Sequence, residues 1–340
     1  MSKIGFGVIG TGILGNQHAK VYQRMADAEL VAVCDLDETR AKEAAETYQA
    51  QTYYTDYQDL LNNPDVQAVS IATPDFAHTK IAVAAAQAGK HILCEKPLAT
   101  TVEEAQTIVD AAEQAGVKLM VDFHNRVNPP IVAAKEAIDA GEIGTPAYGY
   151  TRLSNTTFVP LEMLSWASKS SALWFLCCHT VDTMRFLLND EVTRVYGVNR
   201  SGILQGMGID TQDFHVAIAE FSRGTVVTFE NAWILPQSQP IIYDFKLEIL
   251  GSEGAIYLDP SHHGAVKMHV NGKLAYGDIT GVTPTSDLRI GGFVLESIAR
   301  FVDVVVHDQP IIATGADGVA ATRVLCAMIE SGGTGQPVVL

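Results

Sequence analysis

Gly10-Thr11-Gly12-Ile13-Leu14-Gly15 is a G-x-G-x-x-G run, placed directly after the apolar stretch Ile4–Ile9 and ahead of a segment with helical period. The spacing suits one task. Gly10 permits a tight turn, Gly12 lets backbone N–H groups approach a pyrophosphate, and Gly15 lets helix and strand pack closely, with Ile13 and Leu14 completing the turn. Asp35 ends the next β-rich run, about 20 residues on, where a carboxylate accepts a hydrogen bond from a ribose 2′-hydroxyl. A carboxylate there repels a 2′-phosphate, and neither Leu36 nor Asp37 supplies a cation, although Arg40 stands nearby. NAD is therefore expected over NADP. Glu95-Lys96-Pro97 follows another apolar run. A lysine usually ends in solvent. At the carboxyl end of a parallel strand, facing a nicotinamide, it would instead hydrogen-bond an alcohol oxygen and stabilise developing negative charge.

The elements that must carry these groups are legible in the apolar periodicity. Ile4–Ile9, Leu30–Cys34, Val66–Ala72, His91–Cys94 and Lys118–Phe123 are rich in Val, Ile and Leu without polar alternation, as strands buried on both faces of a parallel sheet are. Helical segments alternate with them at Asn16–Ala26, Glu38–Gln49, Phe76–Ala88 and Val102–Ala115. Thr101 with Glu104 forms a capping-box pattern, and Gly89 and Gly116 stand where left-handed helix ends belong. Strand and helix in alternation predict an α/β domain with a doubly wound parallel sheet of the Rossmann type over residues 1–125.

Beyond residue 125 the rhythm changes. A helix near Ile131–Ala140 and strands at Val192–Arg200, Phe214–Ser222, Thr225–Leu235, Tyr243–Gly251 and Gly254–Asp259 follow, with alternating burial and a hairpin turn at Ser222–Thr225. This predicts an α+β domain with a mostly antiparallel open sheet over 126–340, its last two helices, Phe293–His307 and Ala316–Ser331, able to pack back on the first domain.

Composition narrows the partners. The 340 residues suffice for two domains, and 47% hydrophobic content supports large cores. With 23 Lys+Arg against 39 Asp+Glu, the net charge of −16 repels nucleic-acid phosphates and anionic lipid. No apolar run approaches the roughly 20 residues that span a bilayer, and no signal peptide is evident, so the cytoplasm is the expected compartment. Cys34, Cys94, Cys177, Cys178 and Cys326 show no metal-ligand spacing. They read as buried thiols, with the adjacent Cys177 and Cys178 open to a redox role. His262-His263 lacks a third ligand and reads as a polar turn. No metal site is expected.

Taken in order, the glycine motif, Thr73-Pro74-Asp75-Phe76-Ala77-His78, Glu95-Lys96-Pro97, Gly141-Glu142-Ile143-Gly144, Cys178-His179-Thr180-Val181-Asp182 and the ending Ser331–Val338 resemble the Gfo/Idh/MocA family of oxidoreductases over nearly the whole chain. The resemblance implies hydride exchange between nicotinamide and a secondary alcohol of a sugar, sugar acid or cyclitol. It implies that Thr73, Pro74, His78 and Glu95 join the cofactor site and that Lys96 is the catalytic lysine, its bond to Pro97 cis. It implies His179 as general acid/base, a task that an imidazole titrating near neutrality suits; a core histidine bonded to a carbonyl is the other reading. His124 and Arg126 fall where the family contacts nicotinamide and substrate, though Arg126 equally suits an ion pair with a surface Asp. Trp166 and Lys169 precede the His179 segment as candidate sugar contacts, Trp166 being equally a core residue. Family members commonly pair through the outer face of the second-domain sheet, so a homo-oligomer is expected.

One position departs from the pattern. Inositol-dehydrogenase-like members carry an Asp one helical turn before the histidine, and here Phe175 stands there. Asp182, three residues after His179, can take over its orientation or merely pair locally. Two other functions remain open on these residues: a glycosidase using transient oxidation, and a dinucleotide-dependent regulator without turnover.

Overall fold

The computed structural model describes residues 3–261, 267–270, 273–276, 281–282 and 291–340; the His262-His263 turn lies outside them. The chain divides into two compact units, Met1–Val127 with Thr280–Ala320, and Asn128–Ile279 with Ala321–Leu340. The first unit thus includes a stretch from late in the chain, Thr280–Ala320.

In the first unit, β1 (Ile4–Ile9), β2 (Ala28–Cys34), β3 (Thr52–Tyr54), β4 (Ala68–Ile71), β5 (His91–Cys94) and β6 (Leu119–Val121) form a wholly parallel sheet in the order β3-β2-β1-β4-β5-β6. Helices α1 (Ile13–Arg24), α2 (Glu38–Tyr48), α3 (Tyr57–Asn62), α4 (His78–Gln87) and α5 (Val102–Ala115) connect the strands. The order reverses between β1 and β4, and the crevice at such a reversal receives ligands at the strands' carboxyl ends. Thr101 caps α5 by accepting the Glu104 N–H at 3.1 Å, and Gly116 closes it in the left-handed region at φ 65°. The edge strand β3 and the short α3 escape a periodicity reading, since three half-buried residues carry no resolvable pattern.

The helix from Phe293 to His307 belongs to this unit because its apolar stripe completes the core. Phe301 meets Phe6 edge-on at 6.1 Å, and Phe6 stacks on Tyr22 of α1 at 4.4 Å. Leu295, Ile298 and Val302 are buried in the same cluster.

The second unit holds α6 (Pro129–Asp139), β7 (Pro146–Asn155), α7 (Cys178–Leu188), β8 (Val192–Arg200), α8 (Ile203–Gly206), β9 (Phe214–Phe221), β10 (Val226–Ala232), β11 (Tyr243–Gly251), β12 (Ala255–Leu258) and the hairpin β13 (Lys267–Val270) and β14 (Lys273–Tyr276). Numbering the Phe293–His307 helix α9, the chain ends with α10 (Gly315–Thr334), which crosses from the first unit's residues to the second's, and β15 (Val338–Val339). The seven-stranded sheet runs β12-β11-β7-β10-β9-β8-β15; β7 and β10 are parallel and the other neighbours antiparallel. The mixed, mostly antiparallel sheet agrees with the alternation in the sequence. One face is buried through Gly197, Ala217, Ala219, Val227 and Phe229, and Gly197 is required where the Met328 carbonyl of α10 crosses, since a Cβ would stand 2.7 Å from that oxygen. Across the other face Tyr196, Ile218, Thr228, Tyr150, Glu248 and Tyr257 are successive register partners. Tyr196, Ile218 and Tyr257 are 43%, 46% and 67% exposed, an open apolar row. No helix among the described residues is long and apolar enough to cross a membrane.

Phe301→Ala should lower stability by about 3–5 kcal/mol, the cost of an unfilled aromatic site. Urea unfolding followed by circular dichroism reads this as a reduced midpoint, and an unchanged midpoint would show that α9 is not part of the first unit's core.

Candidate active site

The turn after β1 is built as its glycines demand. Gly10 has φ 92°, and a Cβ there would stand 2.5 Å from the Ala72 carbonyl oxygen at the end of β4. A Cβ at Gly15 would collide with the Gly10 carbonyl oxygen, whereas one at Gly12 meets nothing within 4 Å. The N-terminus of α1 thus opens on free space at the sheet's reversal point, the cradle that a pyrophosphate requires. Ile13 and Leu36 flank it with 59% and 91% exposure, two large apolar side chains left in water.

Asp35 stands at the end of β2, and its carboxylate is fully engaged. Oδ2 accepts the Thr11 N–H at 3.0 Å and the Thr11 hydroxyl at 3.1 Å; Oδ1 accepts the Asp37 N–H at 3.0 Å and Arg40 Nη2 at 2.7 Å. Burial opposes the charge, but these donors hold the carboxyl below its usual range. Arg40, whose side chain is 56% exposed, is the cation the sequence left in question, and it sits on Asp35 itself.

At the ends of β4 and β5 the two motifs are tied together. The His78 ring lies 2.8 Å from the Pro97 carbonyl oxygen through Nδ1 and 2.9 Å from that of Thr73 through Nε2, linking the Thr73-Pro74 loop to the cis Lys96–Pro97 turn. Lys96 is 7% exposed, so the solvated-lysine reading does not describe it. Beneath it lies a polar cluster that sequence reasoning missed. Glu95 Oε1 is 3.2 Å from His18 Nε2, Glu95 Oε2 accepts the Lys96 N–H at 3.2 Å, and Asp122 Oδ2 lies 3.8 Å from the same His18 nitrogen. His18 Nδ1 is 2.8 Å from Ser70 Oγ, which also bonds Tyr22 OH, and Ser297 Oγ of α9 donates to Asp122 Oδ1 at 2.5 Å. His18, Asp122, Ser70 and Ser297 are fully buried. The available signal was a histidine on the otherwise apolar inner face of α1, three residues past the glycine motif, and an Asp closing an apolar strand.

Burial would raise Glu95, but the hydrogen bond and charge of His18 bring it well below the usual carboxylate range. Asp122 goes the other way, raised by burial and by the neighbouring Glu95 charge. His124, in the 3₁₀ turn after β6, is pushed down to about 4, first by burial and then by the charges of Lys96 and His18. Arg126 resolves toward the ion-pair reading: Nη2 pairs with Asp317 at 2.9 Å and Nη1 bonds the Ile312 carbonyl at 2.8 Å. His18, Glu95 and Asp122 also form the one group among the described residues with metal-ligand spacing. His18 and Glu95 are hydrogen-bonded to each other, and Asp122 accepts from Ser297.

In the second unit His179 is 6% exposed near the start of α7, directly after the π-helical turn Leu173–Cys177. Asp182 lies 3.9 Å from Arg185, which pairs in turn with Glu191 at 2.5 Å. Phe175 joins an aromatic row, 6.1 Å from Trp166 and 5.9 Å from the fully buried Trp233. Trp233 Nε1 and Thr156 Oγ1 are buried without a hydrogen-bond partner among the described residues. Lys169 is elsewhere, on a polar cleft of about 410 Å³ with Trp174, Asn199, Gln205, Asp210 and His215. Burial raises the Cys177 thiol, and its sulfur packs 3.8 Å from that of Met328, so a reactive thiolate is disfavoured.

Residues 4–123 match the model of an oxidoreductase family with an NAD-binding Rossmann fold, and 131–257 match the GFO/IDH/MocA C-terminal domain. The chain belongs to the Gfo/Idh/MocA family. It is 31% identical over 341 residues to the scyllo-inositol 2-dehydrogenase (NAD(+)) of Bacillus subtilis (strain 168), covering 98% of this chain and 95% of that one. It is 31% identical over 336 residues to inositol 2-dehydrogenase 3 of Saccharopolyspora erythraea, covering 98% and 94%. The crystal structure of GenD2 from gentamicin A biosynthesis, in complex with NAD, superposes with TM-score 0.87 at 25% identity over 100% of this chain and 97% of that one. The first unit is thus the NAD-binding domain of this Gfo/Idh/MocA protein, and the open cradle at Gly12, the ionised Asp35 and the exposed Ile13 and Leu36 fit that dinucleotide.

The protein should bind NAD more tightly than NADP. Asp35→Ser with Leu36→Arg should reverse the preference, by removing the carboxylate and leaving Arg40 and the new arginine for a 2′-phosphate. Calorimetric titration with both dinucleotides decides it; equal wild-type affinities would show that Arg40 already cancels the Asp35 charge.

Proposed function

We propose that this protein is an NAD-dependent dehydrogenase exchanging hydride between nicotinamide and a secondary alcohol of a cyclitol or sugar. The observation that carries the reading is a buried lysine, Lys96, at the carboxyl rim of the parallel sheet that holds the glycine turn. Bound NAD supplies the hydride acceptor. Lys96 donates to the alcohol oxygen and stabilises the charge that develops as the O–H bond weakens. His179 takes the hydroxyl proton as general base and returns it in the reverse direction. The named relatives act on inositols, which puts cyclitols first in the substrate class and keeps sugars, with the same ring of secondary hydroxyls, beside them. With Phe175 in place of a carboxylate, Asp182 and the surrounding α7 backbone are left to orient the imidazole, and the aromatic row offers a C–H-binding wall.

We also infer that copies of the chain pair through the open sheet face. The row from Tyr196 to Tyr257 is apolar at its ends, and in the strands it crosses Arg152 pairs with Glu230 at 2.9 Å and Asp244 at 3.0 Å. Light scattering after size exclusion should give a multiple of 36.6 kDa, and Ile218→Arg with Tyr196→Glu should give the single mass. A monomeric wild type would remove this inference.

With NAD and a panel of inositols and hexoses, NADH formation should identify the substrate. Lys96→Ala should then reduce kcat by about 10²-fold or more while NAD still binds. His179→Asn should cost about 10²–10⁴-fold and abolish the acidic limb of the pH–rate profile, because the base that must be unprotonated is gone. Wild-type rates in Lys96→Ala, or an intact acidic limb in His179→Asn, would reassign the roles.

A further inference from the structure

We propose that the polar cleft of the second unit is a carbohydrate-binding site apart from the catalytic residues, its ligand an uncharged sugar or cyclitol. Every residue that borders the cleft belongs to the second unit, and His179 is not among them. The proposal therefore does not rest on the hydride-transfer reading.

The site begins with a break in the burial pattern of the sheet. Gly197 of β8 and Ala217 and Ala219 of β9 lie on its buried face. One step further along the same face, Asn199 and His215 are register partners. Small apolar residues thus give way to an amide and an imidazole where β8 and β9 reach the connection 201–213. His215 is 6% exposed, and burial pushes its pKa down to about 4, so the ring is neutral. Its Nε2 has no hydrogen-bond partner among the described residues. A buried polar atom left unpaired costs stability, and a sequence departs from its own burial pattern chiefly where function uses the departure. The connection itself is fastened on both sides. Thr211 Oγ1 donates to the Ser170 carbonyl at 2.7 Å, and the Asp210 N–H donates to Ser168 Oγ at 3.2 Å. Asp213 holds the other side, accepting the Ile203 N–H at 2.9 Å and the Leu204 N–H at 2.7 Å. The space of about 410 Å³ left beside these segments is formed without a ligand and is of small-molecule size.

Its chemistry selects the ligand. Lys169 and Asp210 bring one charge of each sign, so the cleft favours no ion, and the chain's net charge of −16 works against an anion. Asn199 and Gln212 carry amides that both donate and accept, as the hydroxyls of a sugar do. Gln205 Nε2 donates to Asp210 Oδ1 at 3.0 Å and holds that carboxylate in place. Trp174 and Ile329, the latter 39% exposed, supply apolar surface for C–H groups. Paired donors and acceptors beside an aromatic face match a ring of secondary hydroxyls. Trp174 borders the cleft while its chain neighbour Phe175 joins Trp166 and Trp233 in the aromatic row, so one π-helical turn lines both places.

The test uses the three tryptophans of the full-length chain as reporters. In ¹⁵N-tryptophan-labelled protein each indole N–H gives one NMR signal, and Trp174→Phe assigns the one at the cleft. The probes, added without NAD, are myo-inositol, D-glucose and D-galactose, with inorganic phosphate as the anionic control. At least one of the three should shift the Trp174 signal saturably, and phosphate should not. Asn199→Ala with Gln212→Ala should raise the Kd read at Trp174 about tenfold or more, as the loss of two hydrogen-bonding amides requires. The responses of Trp166 and Trp233 should stay as in the wild type. No saturable shift at Trp174, a shift with phosphate alone, or an unchanged Kd in the double variant would each overturn the proposal. So would a single midpoint shared by all three tryptophans and moved together by the double variant, since the cleft would then be part of the catalytic site. Where the double variant does not fold, the two single variants are read in the same way. No turnover enters the measurement, so a failure of Lys96 or His179 catalysis is distinguished from a failure of this site.

Discussion

The polar cluster at the carboxyl rim of the first unit is built around one buried carboxyl, Glu95, which its neighbours hold below the usual carboxylate range. Removing an ionised carboxyl from solvent costs several kcal/mol unless donors and an opposite charge replace its hydration. Glu95 has both, in the His18 ring, the Lys96 N–H and the Lys96 charge. The requirement reaches through the fold. Gly15 lets α1 lie close enough to the sheet for its inner face, including His18, to reach the rim. β4 supplies Ser70, the end of β6 supplies Asp122, and α9 returns from late in the chain to supply Ser297. Helix α9 thus fills the core with Phe301 and completes a polar network, two tasks that both explain why Thr280–Ala320 folds with the first unit.

The dinucleotide end shows the same economy of charge in a different setting. Asp35 is ionised by four donors, and one is Arg40 from the first turn of α2. The exposed guanidinium partly cancels the field of the carboxylate it pairs with. Cofactor choice in this protein is therefore a balance between an anion and the cation that neutralises it, and not a property of Asp35 alone.

In the second unit an aromatic row stands just ahead of α7. Phe175 is packed into a row with Trp166 and Trp233. A phenyl ring has no basic atom to take a proton. Trp233 Nε1 and Thr156 Oγ1 are buried without a hydrogen-bond partner among the described residues, which is costly for polar atoms.

The sequence by itself determined the local and the periodic. The parallel strands announced themselves as unbroken apolar runs, the second sheet as alternation, α5 by its cap at Thr101 and its stop at Gly116, and the cofactor turn by glycines whose spacing admits little else. Short pieces such as β3 and β15 stayed hidden because two or three residues carry no period. Only the tertiary structure decided which polar residues meet. Arg126 found Asp317 and Ile312, Arg40 found Asp35, and His18, Ser70, Glu95, Asp122 and Ser297 came together from five separate segments. Hydrophobic burial is a property of each segment and leaves a periodic trace, whereas a buried charge is stable only through partners that lie far along the chain, and no spacing rule records them.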